Sequence, residues 1–338
     1  MREVNVGDQL DQYQVGELLA RSGMASIFKG VDSETSAPVA LKVPHMQFES
    51  DVVFFERFKR EEEIGQRLDH PAIVKVLKPR AKSRMYLAME YVEGRSLRAM
   101  LQSGGPLAGA TALDIARQVC EALVYLHAQR VIHRDIKPEN LLLTATGQVK
   151  ILDFGIALDE SARRLTWAGL SASVGTPDYM APEQIGGRRG DERTDVYAVG
   201  TLLFEMLTGQ LPYAAPNPHA LMRAKTSDDP RSPRYFLPSI DPALEAVILR
   251  AIARSPRDRQ GTVAELLAHL RDPSTAPASS AEGSSSTGRR GARAARRLAL
   301  PVLAVLIFAG LVALVGLSGR GASVSQPPAP APAQTRER

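Results

Sequence analysis

Asp135, Lys137, Asn140 and Asp153 lie close together in the chain, and their types suit one kind of chemistry. Asp135 can accept a proton. Lys137 is a compact cation able to pair with phosphate oxygens. Asn140 and Asp153 offer hard oxygen donors of the sort that Mg²⁺ prefers. A proton acceptor, a phosphate-binding cation and two metal donors in one short region point to chemistry on a phosphate group. There the protein mostly positions reactants and neutralises charge.

The wording around them is specific. His133-Arg134-Asp135-Ile136-Lys137-Pro138-Glu139-Asn140, followed by Asp153-Phe154-Gly155, resembles the catalytic segment of protein kinases in its serine/threonine form. The resemblance implies transfer of the γ-phosphoryl group of ATP, with Mg²⁺ (Mn²⁺ as an alternative), to Ser or Thr hydroxyls of protein substrates. It implies that Asp135 takes or orients the hydroxyl proton and that Lys137 reaches both the γ-phosphate and the Asp135 carboxylate. Asn140 and Asp153 are the implied metal ligands. Val39-Ala40-Leu41-Lys42 is similar to the family's lysine-bearing strand, so Lys42 is expected on the α- and β-phosphates. Spacing within the family selects Glu61 as its partner. Glu62 and Glu63 are adjacent, and a helix lets only one of the three face Lys42.

The segment Leu19-Ala20-Arg21-Ser22-Gly23-Met24-Ala25-Ser26-Ile27 aligns with the family's glycine-rich phosphate loop but departs from it. Ala20, Ser22 and Ala25 stand where the pattern has its three glycines, and Gly23 is extra. Glycine lets backbone amides approach phosphate with no Cβ in the way. The departure implies weaker nucleotide binding or a slower loop. By the same resemblance adenine lies among Leu19, Ile27, Ala40 and Leu142, with Met89 behind it. Glu90-Tyr91-Val92-Glu93 resembles the hinge, where backbone groups of Glu90 and Val92 bond the base.

Between Asp153 and Ala181-Pro182-Glu183 lies the implied activation segment, carrying Ser161, Thr166, Ser171, Ser173 and Thr176. Thr166, Ser171 or Ser173 is expected to be autophosphorylated, and Arg134 to pair with that phosphate. Thr176, in Gly175-Thr176-Pro177-Asp178-Tyr179-Met180, resembles the substrate-docking threonine that packs near Asp135. Asp195 is expected to brace the backbone before Asp135, and Arg259 to pair with Glu183.

To position these groups the resemblance implies an α+β, two-lobed fold over 13–270, with a β-rich small lobe at about 13–92 and a helical large lobe at about 95–270. Short β-branched runs predict strands at Val39–Val43, Ile73–Leu77 and Met85–Met89, with one helix around Asp51–Leu68. Helical spacing predicts Thr111–His127, Thr194–Thr208, Pro242–Arg254 and Val263–Leu270. The chain is 44% hydrophobic, enough for a large core. Its single cysteine, Cys120, excludes an intramolecular disulfide framework and sits on the apolar stripe of its helix as a buried thiol.

Composition changes after the large lobe. Residues 272–297 are rich in Ser, Ala and Arg and read as a disordered linker. Residues 298–317 form an uncharged apolar stretch of about 20 residues, matching a hydrocarbon core of about 30 Å. We expect a single transmembrane helix there. Arg289, Arg290, Arg293, Arg296 and Arg297 precede it, and the positive-inside rule then keeps the catalytic domain in the cytoplasm, with the short Pro/Ala-rich tail 318–338 outside the inner membrane. That topology explains the arginine run without nucleic acid, since no aromatic residues interleave it. The N-terminus shows no apolar signal segment, and the tail is too short for a sensor domain. Tethering favours self-association for trans-autophosphorylation in a signalling role. Two other classes stay open: an inactive scaffold, suggested by the altered loop, and a small-molecule kinase, disfavoured by the Ala181-Pro182-Glu183 segment and the docking threonine.

Overall fold

The computed structural model describes residues 2–153 and 177–276. The chain divides into two units, Met1–Ser279 and Ser280–Arg338. The expectations for Phe154, Gly155, Ser161, Thr166, Ser171, Ser173 and Thr176, for the linker beyond 276, and for 298–338 all lie outside the described residues. Among the described residues no helix is long and apolar enough to cross a membrane.

The first unit begins with a six-stranded antiparallel sheet. Its strands are β1 (Gln9–Leu10), β2 (Tyr13–Arg21), β3 (Ala25–Asp32), β4 (Pro38–Pro44), β5 (Val76–Leu77) and β6 (Leu87–Glu90), ordered β1-β2-β3-β4-β6-β5. Alternation decides which residue faces what. Val39, Leu41 and Val43 point into a small core with Tyr13, Val15, Phe28 and Tyr86. Ala40 and Lys42 therefore point to the opposite face. Cross-strand pairing sets Ala20 opposite Ile27, Ile27 opposite Lys42, and Lys42 opposite Leu87. One row of side chains thus runs across the sheet to the lysine.

Helix α2 (Val52–Gly65), preceded by the short helix α1 (Met46–Glu49), meets that face through Glu61 on Lys42. Asp51 starts α2 by accepting hydrogen bonds from the amides of Val53 and Phe54. The buried residues of α2 are Phe58, Glu61, Ile64 and Gly65, so a carboxylate lies on its apolar stripe. The run expected as one strand at Ile73–Leu77 is split. Only Val76 and Leu77 join the sheet, whereas Ile73 forms a parallel bridge to Ile151 in the other lobe. Val74 N–H donates to Ile151 O at 2.9 Å and Ile151 N–H to Ala72 O at 2.8 Å. The strand expected from Met85 starts two residues later, at Leu87.

The second lobe is helical, with a small sheet of β7 (Arg95–Ser96), β8 (Leu141–Leu143) and β9 (Val149–Ile151). Its helices are α3 (Leu97–Gly104), α4 (Gly109–Ala128), α5 (Pro182–Ile185), α6 (Glu192–Thr208), α7 (Pro218–Ser227), α8 (Pro242–Ala251) and α9 (Val263–Arg271). Every residue of α6 from Thr194 to Leu207 is buried, so this helix is the axis of the lobe. Gly200 makes that packing possible, because an added Cβ would lie 2.7 Å from the Ala251 Cβ. Cys120 on α4 is fully buried, and burial pushes its thiol pKa up. A 3-10 turn at Pro273–Thr275 continues the chain inside the stretch read as linker from composition.

Candidate active site

The β8–β9 hairpin explains why two sequence-distant oxygen donors meet. Leu141 pairs with Ile151, so Asn140 before β8 and Asp153 after β9 emerge at the same end. Leu152 N–H donates to Asn140 O at 2.9 Å, which fixes the pair. Asn140 also donates its side-chain amide to Asp135 O at 2.8 Å and to Asp135 Oδ2 at 3.0 Å. Lys137 Nζ donates to both oxygens of the Asp135 carboxylate, at 2.9 and 2.7 Å.

The backbone that presents Asp135 is held in an unusual shape. Arg134 has φ 65°, a left-handed conformation that side chains disfavour. Asp195, fully buried on α6, accepts from His133 N–H at 2.9 Å and from Arg134 N–H at 2.7 Å. His127 Nε2 meets the same carboxylate at 2.8 Å. Gln184 adds a bond to Arg134 O at 3.1 Å. Burial pushes the pKa of His133 down, so a neutral ring packs beneath the loop.

The other half of the site comes from the small lobe. Lys42 Nζ donates to Glu61 Oε1 at 2.8 Å and to Asp153 Oδ1 at 2.9 Å, joining strand β4, helix α2 and the β9 end. Of the three consecutive glutamates, Glu61 is the one buried at Lys42. Glu62 pairs with Lys82 at 2.5 Å, and the exposed Glu63 lies 3.9 Å from Lys59. Burial alone would lower the Lys42 pKa, but Asp153 and Glu61 together hold it above the ordinary lysine range. Burial raises the Glu61 pKa against the pull of Lys42. For Asp153 the attraction of Lys42 and Lys137 outweighs burial and holds the pKa down. Asp153 thus stays ionised between two lysines, and the two halves share one field.

The residues expected around adenine lie on β2, β3, β4, β6 and β8 and on the chain after β6. Ala40 pairs with Met89, and Ala40 and Val92 pack against the main core. Leu142 lies in β8 opposite Lys150. Leu19 is 41% exposed at the edge of β2. Glu90 N–H donates to Lys75 O at 2.9 Å, and its carboxylate takes Lys150 Nζ at 2.6 Å. In the loop, Ser22, Gly23 and Met24 join β2 to β3 directly, and Arg21 and Ser26 close the two strand ends.

Several contacts had no signal in spacing. Lys225 of α7 is 1% exposed and donates to Pro177 O at 2.9 Å and to Asp178 O. Its partners lie 47 and 48 positions earlier, in the stretch 177–180 before Ala181. The pairing of Arg259 with Glu183 that the resemblance implies is, by contrast, present: the guanidinium meets both carboxylate oxygens, at 2.8 and 2.7 Å, with both side chains buried. Thr194 donates to the same carboxylate at 2.9 Å.

Residues 13–270 match the family described as protein kinase domain. A probable serine/threonine-protein kinase of Corynebacterium efficiens is 37% identical over 271 residues, covering 77% of this chain and 41% of its own. The serine/threonine-protein kinase PknB of Mycobacterium tuberculosis is 36% identical over 267 residues, covering 77% and 42%. The chain therefore spans about two fifths of the length of these curated relatives. Among solved structures, the PknI kinase domain of Mycobacterium tuberculosis superposes with a TM-score of 0.63 at 27% identity, over 80% of this chain and 100% of that one. Rad53 1-466 in complex with AMP-PNP superposes with a TM-score of 0.64 at 25% identity, over 76% and 64%. A sheet lobe and a helical lobe meeting at Lys42 and Asp153, together with a family match over most of the length, show that this chain belongs to the protein kinase domain family.

Proposed function

We propose that the chain transfers the γ-phosphoryl group of ATP to serine or threonine hydroxyls of proteins. The observation that carries this is the convergence of Lys42, Asp153, Asn140, Asp135 and Lys137 at one end of the β8–β9 hairpin. Lys42 binds the inner phosphates while Glu61 keeps it extended into the cleft. Lys137, already on the Asp135 carboxylate, is close enough to steady the transferring group as well. Asp135 orients the incoming hydroxyl and takes its proton. Asn140 and Asp153 offer hard oxygen donors that would hold a Mg²⁺ ion. Such an ion would neutralise phosphate charge. The family name of the PknB relatives supports Ser/Thr as acceptor, and the AMP-PNP complex of Rad53 supports an adenine nucleotide as donor.

The full-length chain in detergent, given Mg²⁺-ATP and a generic protein substrate, should label that substrate. Asp135→Asn should reduce labelling by about 10² to 10⁴. Ala20, Ser22 and Ala25 in the phosphate loop favour a second reading, a membrane scaffold that binds partners and transfers nothing or little. ATP binding with no labelling by the wild-type chain would establish that reading instead.

The apolar stretch 298–317 and its arginine flank support anchoring in the inner membrane with the catalytic domain in the cytoplasm. Protease added to right-side-out cells should spare the domain, and its digestion there would reverse the topology. Autophosphorylation at Thr166, Ser171 or Ser173 fits the Arg134 position. Phosphosite mapping of an active preparation should find phosphate on one of them, and an unmodified segment at full activity would sink the idea.

A further inference from the structure

The phosphate loop is closed by its own side chain. Ser22 Oγ accepts from Ala25 N–H at 3.1 Å and from Met24 N–H at 3.3 Å, and donates to Ala25 O at 3.0 Å. Ser22 N–H donates to Ala25 O at 2.9 Å, and His45 N–H holds Met24 O at 2.9 Å. Two successive backbone N–H groups of the β2–β3 turn therefore converge on one oxygen. Convergent amides of this kind form an anion-binding concavity. Here a serine hydroxyl sits in it.

Register places this turn next to the catalytic lysine. Ile27 lies opposite Lys42, and Ala25, two residues earlier on the same face of β3, lies opposite Pro44. The Ala25 end of the turn thus lies one same-face step along β3 from the row that carries Lys42. We propose that Ser22 is a latch that occupies the phosphate-binding amides and must be displaced by the nucleotide phosphates, so that it sets affinity for the phosphate chain and not for the base. This rests on the nucleotide reading above. A charged phosphate oxygen is the stronger acceptor and wins the exchange, but its gain is reduced by the bonds it breaks.

The alternative is that the hydroxyl merely preorganises the loop, and the two have opposite signs. Removing a competitor tightens phosphate binding, whereas removing a preorganiser loosens it. The experiment is calorimetric titration of the full-length chain with ATP, ADP and adenosine, comparing wild type, Ser22→Ala and Ser22→Thr. Ser22→Ala should bind ATP and ADP about 3- to 10-fold more tightly, the range expected for one or two neutral hydrogen bonds. Adenosine should bind all three proteins equally, which also reports that each is folded. Ser22→Thr keeps a hydroxyl and should behave as wild type. ATP affinity unchanged or weakened in Ser22→Ala overturns the latch alone. A parallel change in adenosine overturns it as well, because the effect then lies in the fold. No binding of ATP or adenosine to any variant overturns the nucleotide reading and the latch together.

Discussion

Two of the buried carboxylate–cation pairs among the described residues are built to opposite ends. Arg259 is buried with Glu183, and each guanidinium N–H has an acceptor. Nε donates to Ala253 O, Nη1 to Glu183 and Arg193 O, and Nη2 to Glu183 and Arg254 O. The cation also lies 4.8 Å from the centre of the Tyr197 ring. Lys42 pairs with Glu61 in the cleft, but it divides its charge between Glu61 and Asp153. An ammonium has three donors, and two are engaged among the described residues. The first pair is saturated and locks a loop to a helix. The second is shared and poised, as a group must be if a phosphate is to join it. Burial alone does not separate structure from function here; hydrogen-bond saturation does.

The comparison breaks most visibly in stability. Arg259→Ala leaves Glu183 charged and buried, and should destabilise the domain by about 3–5 kcal/mol. Urea unfolding followed by fluorescence measures it. A loss below about 1 kcal/mol would mean that saturation is not what holds this corner. Glu61→Gln tests the other pair with a milder change. Burial already disfavours the ionised form of Glu61, so the amide should leave the unfolding midpoint unchanged or slightly higher. Lys42 should then drift toward Asp153, lowering phosphoryl transfer about a hundredfold, as misplacement by about 1 Å does. If Glu61→Gln unfolds the domain as readily as Arg259→Ala, the two pairs are alike and the distinction fails.

Much of this site was legible through the resemblance, and fixed periods explain why it holds. Family spacing selects Glu61 over Glu62 and Glu63, and Glu61 shares the buried stripe of α2 with Phe58 and Ile64. The Asn140–Asp153 meeting, also implied by the resemblance, is made by one short hairpin. Strand limits were less legible, because Ile73 and Val76 are equally β-branched or apolar, yet one serves each lobe. Contacts without a period were silent. His127 on Asp195 joins residues 68 positions apart. The Ser22 hydroxyl was visible only as a missing glycine, since sequence shows that freedom is lost but not what the side chain does instead. Lys225 belongs to no motif, and it lies near Arg223, Asp228 and Asp229, residue types that are ordinarily solvated.

Lys225 offers the finest test, because it is a third kind of buried charge, with carbonyls where the other two have a carboxylate. It holds Pro177 O and Asp178 O, lies 5.2 Å from the Tyr197 ring centre, and feels the half-buried Asp178 carboxylate only as a weak counter-field. Burial lowers its pKa from 10.5 to about 7. Between those values the unfolded chain carries a proton that the folded chain has shed, so stability rises with pH across that window. Below about pH 7 both states are protonated and the penalty is constant. Lys225→Met keeps the apolar stem and removes the titration. The stability difference between wild type and variant should therefore be flat below pH 6 and shift in favour of wild type by about 1 kcal/mol per unit between pH 7 and 9. Urea midpoints at four pH values would measure it. A difference constant from pH 6 to 9 would mean that two carbonyls and a ring face hold an ammonium as well as a carboxylate does, and that saturation outweighs the kind of partner.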